Sequence, residues 1–243
     1  MNEKLSDKGY IYLDGKYMRV VPDVAVVLIE PEYPRGRGRV VSIRVGITPL
    51  CSGIRKELDL FSYRITTITS YRGGIVEPEL LELPRDEQMR ILLEEFDALF
   101  DEINSLQSPR DIYNYYSGPD FYDKLYYKYL LCVQMGDWAR AQYHLERCME
   151  ATQYGIHCQT TAHNDAIKEI ARATHWASKR TWQRILEGYD LVLNKLIENY
   201  QKLQAKYGQL QAKEYAMLLE EVNENIAASK EYCDKLLAGH PQR

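Results

Sequence analysis

The side chains with the widest chemical reach in this 243-residue sequence lie between His144 and His163. His144 and Cys148 stand four apart, a spacing that puts two ligands on one helix face, and His157, Cys158 and His163 follow. Imidazole and thiolate are the ligands a tetrahedral zinc takes. The spacing matches no established zinc motif, and Cys148 also belongs to an apolar stripe. A buried thiol beside a histidine therefore accounts for it, and no metal is expected. Five carboxylates, Glu94, Glu95, Asp97, Asp101 and Glu102, crowd one segment where acids and bases could exchange protons with a substrate. They fall opposite Phe96, Leu99 and Phe100 at helical spacing, which reads as a solvated helix face. His163-Asn164-Asp165 has the composition of a nuclease fragment, but without a ββα metal setting its Asn and Asp read as helix caps. The chain contains no G-x-S-x-G, P-loop, H-E-x-x-H or dinucleotide fingerprint. The G-x-G within Arg35-Gly36-Arg37-Gly38-Arg39 leads into a strand pattern instead of a helix N-terminus, so it is no phosphate cradle. No catalytic residue and no cofactor is assigned, and a non-enzymatic protein is expected.

Two other groups of residues suit recognition better than catalysis. Between Tyr33 and Arg72 the basic residues are Arg35, Arg37, Arg39, Arg44, Arg55, Lys56, Arg64 and Arg72, against Glu57 and Asp59, a local balance of +6. The whole chain is −4, so the remainder carries −10. Such asymmetry can steer an acidic partner or a nucleic acid to one face; arginines also protect a sheet edge from aggregation. The second group is tyrosine, present 20 times against 4 phenylalanines. Tyr113, Tyr115, Tyr116, Tyr122, Tyr126, Tyr127 and Tyr129 cannot all enter one core from adjacent helical turns. A binding surface containing Tyr113, Tyr116, Tyr122 and Tyr126 is expected, since tyrosine offers large contact area with a wet end.

The elements that would carry these residues change character along the chain. Up to about residue 75 the pattern is β. Ile11 to Leu13 and Tyr17 to Val21 flank Asp14-Gly15, a dipeptide that accepts the positive φ of a tight hairpin. Val24 to Ile29 reads as a buried strand, and Val41, Ile43, Val45 and Ile47 alternate with polar or small residues, which directs Arg44 to the opposite face. A further strand over Tyr63 to Thr69 completes an antiparallel meander of four or five. From Pro84 the period is helical: Met89, Leu92, Leu93, Phe96, Leu99, Phe100 and Ile103 form one apolar face after an Asp86 cap, and this helix is expected to close the core. Ser108-Pro109-Arg110-Asp111 starts a second helix and the region of Pro119 a third, to about Met135. Gly136-Asp137 then supplies a C-cap and an N-cap, with Trp138, Ala141, Leu145, Cys148 and Met149 as the next stripe. Gly-Asp-aromatic-x-x-Ala is also the corner of a tetratricopeptide hairpin, but no self-similarity at about 34 residues accompanies it.

The last third lacks proline from Asn164 to about Leu237. Trp182, Ile185, Tyr189, Val192, Leu196, Tyr200, Leu203, Tyr207 and Leu210 form a coiled-coil seam, Gly208 is expected to turn the chain, and Tyr215, Leu218, Val222 and Ile226 to return along it. The expectation is an α+β fold: an antiparallel β-meander covered by helices over residues 1–158, then a long helical hairpin over 159–243. Self-association at the hairpin tip, Tyr200 to Glu214, is expected. The five cysteines are odd in number and lack a C-x-x-C pair, no apolar run approaches the roughly 20 residues of a membrane span, and the charged start carries no signal-peptide core; a cytoplasmic protein with reduced thiols is expected.

Tyr17-Met18-Arg19-Val20-Val21, the strand Val24 to Ile29, and Val41 to Cys51 ending Gly46-Ile47-Thr48-Pro49-Leu50-Cys51 resemble the uncharacterised bacterial family called domain of unknown function 4304. Phe96-Asp97-x-x-Phe100-Asp101-x-Ile103 and the corner Leu130 to Glu150 are similar to later parts of it, so the resemblance spans roughly residues 10–150. The chain departs from the family in lacking a helix before the first strand and in carrying the long C-terminal hairpin. The resemblance implies an α+β domain without established enzymatic activity. By analogy with small bacterial proteins of this kind it implies an immunity or accessory protein of a toxin system. The expected partner is therefore another protein, with a nucleic acid bound through the arginines as the alternative.

Overall fold

The computed structural model describes residues 2–32, 42–56, 64–68, 71–72, 75–76, 83–116 and 122–239. The described residues fall into two compact units, each discontinuous in sequence. The first contains 1–119, 130–136 and 219–243, and the second 120–129 and 137–218. The boundary expected at 158/159 falls inside one uninterrupted helix.

In the first unit, helix α1 (Asn2–Asp7) precedes β1 (Ile11–Leu13), β2 (Lys16–Val21), β3 (Ala25–Glu32) and β4 (Ser42–Pro49). A 3-10 turn at Leu50–Ser52, β5 (Arg64–Ile68) and the short pair β6 (Tyr71–Arg72) and β7 (Ile75–Val76) follow. The main sheet is antiparallel in the order β1-β2-β3-β4-β5, the expected meander. The Asp14-Gly15 hairpin forms as read: Leu13 pairs with Lys16, and the two loop residues take φ 42° and 90°. Helix α1 corrects the expectation of no helix before the first strand. It is too short to show a period, and Leu5, wholly buried, is its anchor.

Val24 to Ile29 are all buried, as their unbroken apolar run implies, so β3 is covered on both faces. More than one helix must then close this core. Helix α2 (Arg85–Ser105) contributes Phe100 and Ile103, α3 (Pro109–Tyr115) Ile112, and the C-terminal part of α4 (Tyr122–Gln134) Leu130 to Val133. Residues 219–238 of α7 (Tyr215–Ala238) add Val222, Ile226 and Cys233. Val45 and Ile47 are buried as the alternation requires. The side chains of Ile43, Arg44, Phe96 and Leu99, and the whole of Val41, lie outside the described residues. Helix α2 begins one residue after Pro84 without a side-chain cap, correcting the Asp86 cap. Helix α3 starts with a capping box: Asp111 N–H donates to Ser108 Oγ, and the Asp111 carboxylate accepts from Ser108 N–H at 2.9 Å.

The second unit is built on α5 (Trp138–Arg172, 35 residues) and α6 (Trp176–Gln211, 36 residues), which pack as an antiparallel hairpin turning at 173–175. Gly136 at φ 70° and Asp137, whose carboxylate accepts from Arg140 N–H, form the expected corner before α5. Three expectations for this region are corrected. Helix α5 runs through Asn164-Asp165, where a new helix was read; both are exposed there, and exposed capping residues inside a helix cost little while the stripe on the other side continues. Gly208 lies inside α6, and the chain turns at Ala212 to Glu214, with Lys213 in the left-handed region at φ 58°. The helix paired with α6 is α5, not the following one, because all but the first turn of α7 belongs to the first unit.

Candidate functional site: the outward face of helix α5

Helix α5 has two sides with opposite characters. Ala141, Leu145, Cys148 and Thr152 are buried, and Gly155, Gln159 and Ala162 continue their alternating steps of three and four up to buried Ala166. Small residues on this stripe let α6 approach closely. A Cβ at Gly155 would meet Leu196 Cδ1 at 3.7 Å. Opposite the stripe stand Tyr143, 54% exposed, and Tyr154, 71% exposed. They are eleven residues apart, three helical turns, so they share one face. Between them Arg147 and Glu150 pair at 2.6 Å, an exposed ion pair that adds little stability but fixes the orientation of the guanidinium. Tyr154 lies against the Cys158 thiol one turn on, a contact that raises its phenol above the ordinary range.

The tyrosines read from sequence are divided. Tyr116 is buried, and its hydroxyl donates to Ile47 O at 2.9 Å, so it ties α3 to the sheet and is corrected from surface to core. Tyr127 and Tyr129 are buried too. Tyr113 and Tyr126 are half-buried, Tyr113 under the Arg110 guanidinium at 6.0 Å and Tyr126 against Tyr129 at 5.7 Å. The side chain of Tyr122, in the first turn of α4, lies outside the described residues. Arg35, Arg37 and Arg39 also lie outside them, and of Arg44 the backbone alone is described, opposite Glu30 in the β3–β4 ladder.

The histidines and cysteines do not converge. His144 to His163 occupy a single helix across nineteen residues, about 28 Å at 1.5 Å per residue, far beyond the reach of one ion. His144 and Cys148 are buried in the stripe, His157 and Cys158 are exposed, and His163 Nε2 pairs with Asp190 on α6 at 2.9 Å. Among the described residues no group of three metal-binding side chains is assembled. Glu94, Asp97, Asp101 and Glu102 are exposed along α2, and Glu94 pairs with Arg90. The tyrosine pair on α5 was legible in the sequence as the complement of the Ala141-Leu145-Cys148 stripe, a signal masked by the denser run of tyrosines before it.

The fold is thus α+β, an antiparallel sheet with covering helices together with a long α-helical hairpin, and among the described residues no helix is long and apolar enough to cross a membrane. No protein-family model, curated protein or solved structure matches the chain.

Proposed function

We propose that this chain is a non-enzymatic protein-interaction module whose recognition surface is the outward face of α5. One observation carries the reading: Tyr143 and Tyr154, 54% and 71% exposed, sit three turns apart with Arg147 between them. Exposed tyrosine and arginine on a rigid helix are the side chains that dominate binding energy at protein interfaces, because they bring large contact area with few torsions to immobilise. Half-buried Tyr126, held against Tyr129 within the same unit, is preorganised and offers contact area at low entropic cost.

The finer reading, an immunity or accessory protein acting in the bacterial cytoplasm against a toxin, rests on the resemblance of residues 10–150 to domain of unknown function 4304. The test is calorimetric titration of the chain with the purified product of a small neighbouring gene. The wild type binds, and Tyr143→Ala with Tyr154→Ala weakens binding by at least about 2 kcal/mol, roughly 30-fold. Equal affinity for wild type and double variant overturns the α5 surface. Absence of binding to every neighbouring product overturns the toxin reading.

A further inference from the structure

The part of the α5–α6 hairpin next to its turn is rich in apolar side chains yet hardly buried. From residue 153 to residue 202 only Ala166 is buried. A two-helix seam covers one stripe per helix, and here the apolar set is wider than that stripe. The register is fixed by Gly155 against Leu196 and by His163 against Asp190. It places Ile156 beside Ile197 on one side of the His163–Asp190 pair and Ile167 beside Leu186 on the other. Each of these stands four or seven residues from the His163–Asp190 contact along its helix, so all six share one flank of the hairpin. Ile167 is 46% exposed and Ile197 39%, and Ile156 and Leu186 are half-buried. Thr160 and Asn194 lie between them and Gln153 and Gln183 just beyond, all uncharged, with Glu187 beside Leu186 at the edge.

We infer that this flank is the interface of a homodimer, in which two hairpins pack face to face as a four-helix bundle. Charge selects the occupant. The chain is −4 overall, yet this flank is mostly apolar and amide side chains with Glu187 at its edge, and a second copy that sets each His163 against the other's Asp190 brings a donor to each carboxylate instead of a second carboxylate. A two-fold axis parallel to the helices lays α5 of one copy on α6 of the other, so that Ile156 of each meets Ile197 of the second copy and Ile167 of each meets Leu186. It also brings each His163 to the Asp190 of the second copy, which is the self-complementarity that closed symmetry requires. Size agrees: about twenty residues of each helix at 1.5 Å rise, two helices about 10 Å wide, give on the order of 600 Å² of face, near the roughly 800 Å² per partner of a standard interface. This inference does not rest on the proposed α5 recognition surface, which lies on another side of the hairpin.

Light scattering of the full chain at micromolar concentration tests it. The expected mass is twice 28.4 kDa. Ile167→Glu with Ile197→Glu returns 28.4 kDa with unchanged helical circular dichroism, whereas Leu191→Glu, at a position 73% exposed on the far side of α6, leaves the dimer intact. If the double variant loses helicity, Ile167→Gln takes its place and must raise the dissociation constant at least about tenfold. A wild-type mass of 28.4 kDa overturns the inference, as does a dimer indifferent to the flank variants or one abolished by Leu191→Glu.

Discussion

Ser229 joins the C-terminal helix to the 3-10 turn after β4 with one hydroxyl: wholly buried, Oγ donates to Leu50 O at 2.8 Å and accepts from Ile54 N–H at 2.7 Å. In Ser229→Ala, Leu50 O keeps the Gly53 N–H at 3.2 Å, but the Ile54 N–H is orphaned inside the core. The expected loss is about 1–3 kcal/mol in urea unfolding, and a change below about 0.5 kcal/mol would exclude that role. One turn earlier, Asn225 closes on Gly53, which takes φ 78°; an added Cβ would lie 2.9 Å from Asn225 Oδ1. Gly53→Ala is therefore expected to cost about 1–3 kcal/mol, and adding Asn225→Ala should recover the steric part while leaving the backbone strain, a non-additivity that a double-mutant cycle reads directly. Burial also sets an alkaline limit. It pushes Cys233 up to about 11 from 9.0 and Tyr10 to about 12 from 10.0, and holds Cys51 high as well. Each group stays neutral in the fold while the unfolded chain ionises more readily, so the stability they contribute is complete below about pH 9 and falls as pH rises through the folded values. Urea midpoints that stay level from neutral pH to about pH 11 would contradict this.

The two long helices illustrate what periodicity specifies and what it does not. Stripes along α5 and α6 were readable because three- and four-residue steps recur over many turns, and the Gly136-Asp137 corner was readable because capping chemistry is local. The break at 173–175 was not: Ala-Thr-His carries no proline or glycine, and His175 caps α6 without a side-chain hydrogen bond. Gly208 misled because glycine inside an exposed helix turn weakens the helix without ending it. Val192, read into the seam, is 42% exposed, and half-buried Leu193 takes its place; a one-residue choice between adjacent aliphatics needs the partner helix to settle it. Tyr200 to Leu210, read as a free tip, lies at the end of α6 away from the hairpin turn, and Leu203 and Leu210 are buried within the chain. The close approach at Gly155 yields a prediction of definite sign. An added methyl meets Leu196 at ordinary contact distance, 3.7–3.8 Å, so Gly155→Ala should stabilise the chain by about 0.5–1 kcal/mol through helix propensity. A lower unfolding midpoint would mean that the helices are closer than this.

Across the whole chain, charge is segregated: +6 between Tyr33 and Arg72 and −10 elsewhere. If that basic stretch binds nucleic acid, affinity must fall steeply with salt, and Arg35→Ala, Arg37→Ala and Arg39→Ala together must flatten the salt slope by up to about 3. Fluorescence anisotropy with DNA and RNA at low salt decides it, and no binding to either ends that alternative. The sequence by itself determined the change from strands to helices along the chain, the antiparallel meander with its Asp14-Gly15 turn, the capping of α3 and the corner before α5, since each depends on residues within a few positions of one another. Tertiary structure alone decided which faces are covered. Nothing local says which helices cover β3, that Tyr116 reaches Ile47 across 69 residues, or that Ser229 reaches Leu50 across 179. Nor does anything local pair α6 with the helix before it instead of the helix after it. Those choices are made by competition among apolar surfaces far apart in the chain, and period and propensity describe each surface without naming the one that will cover it.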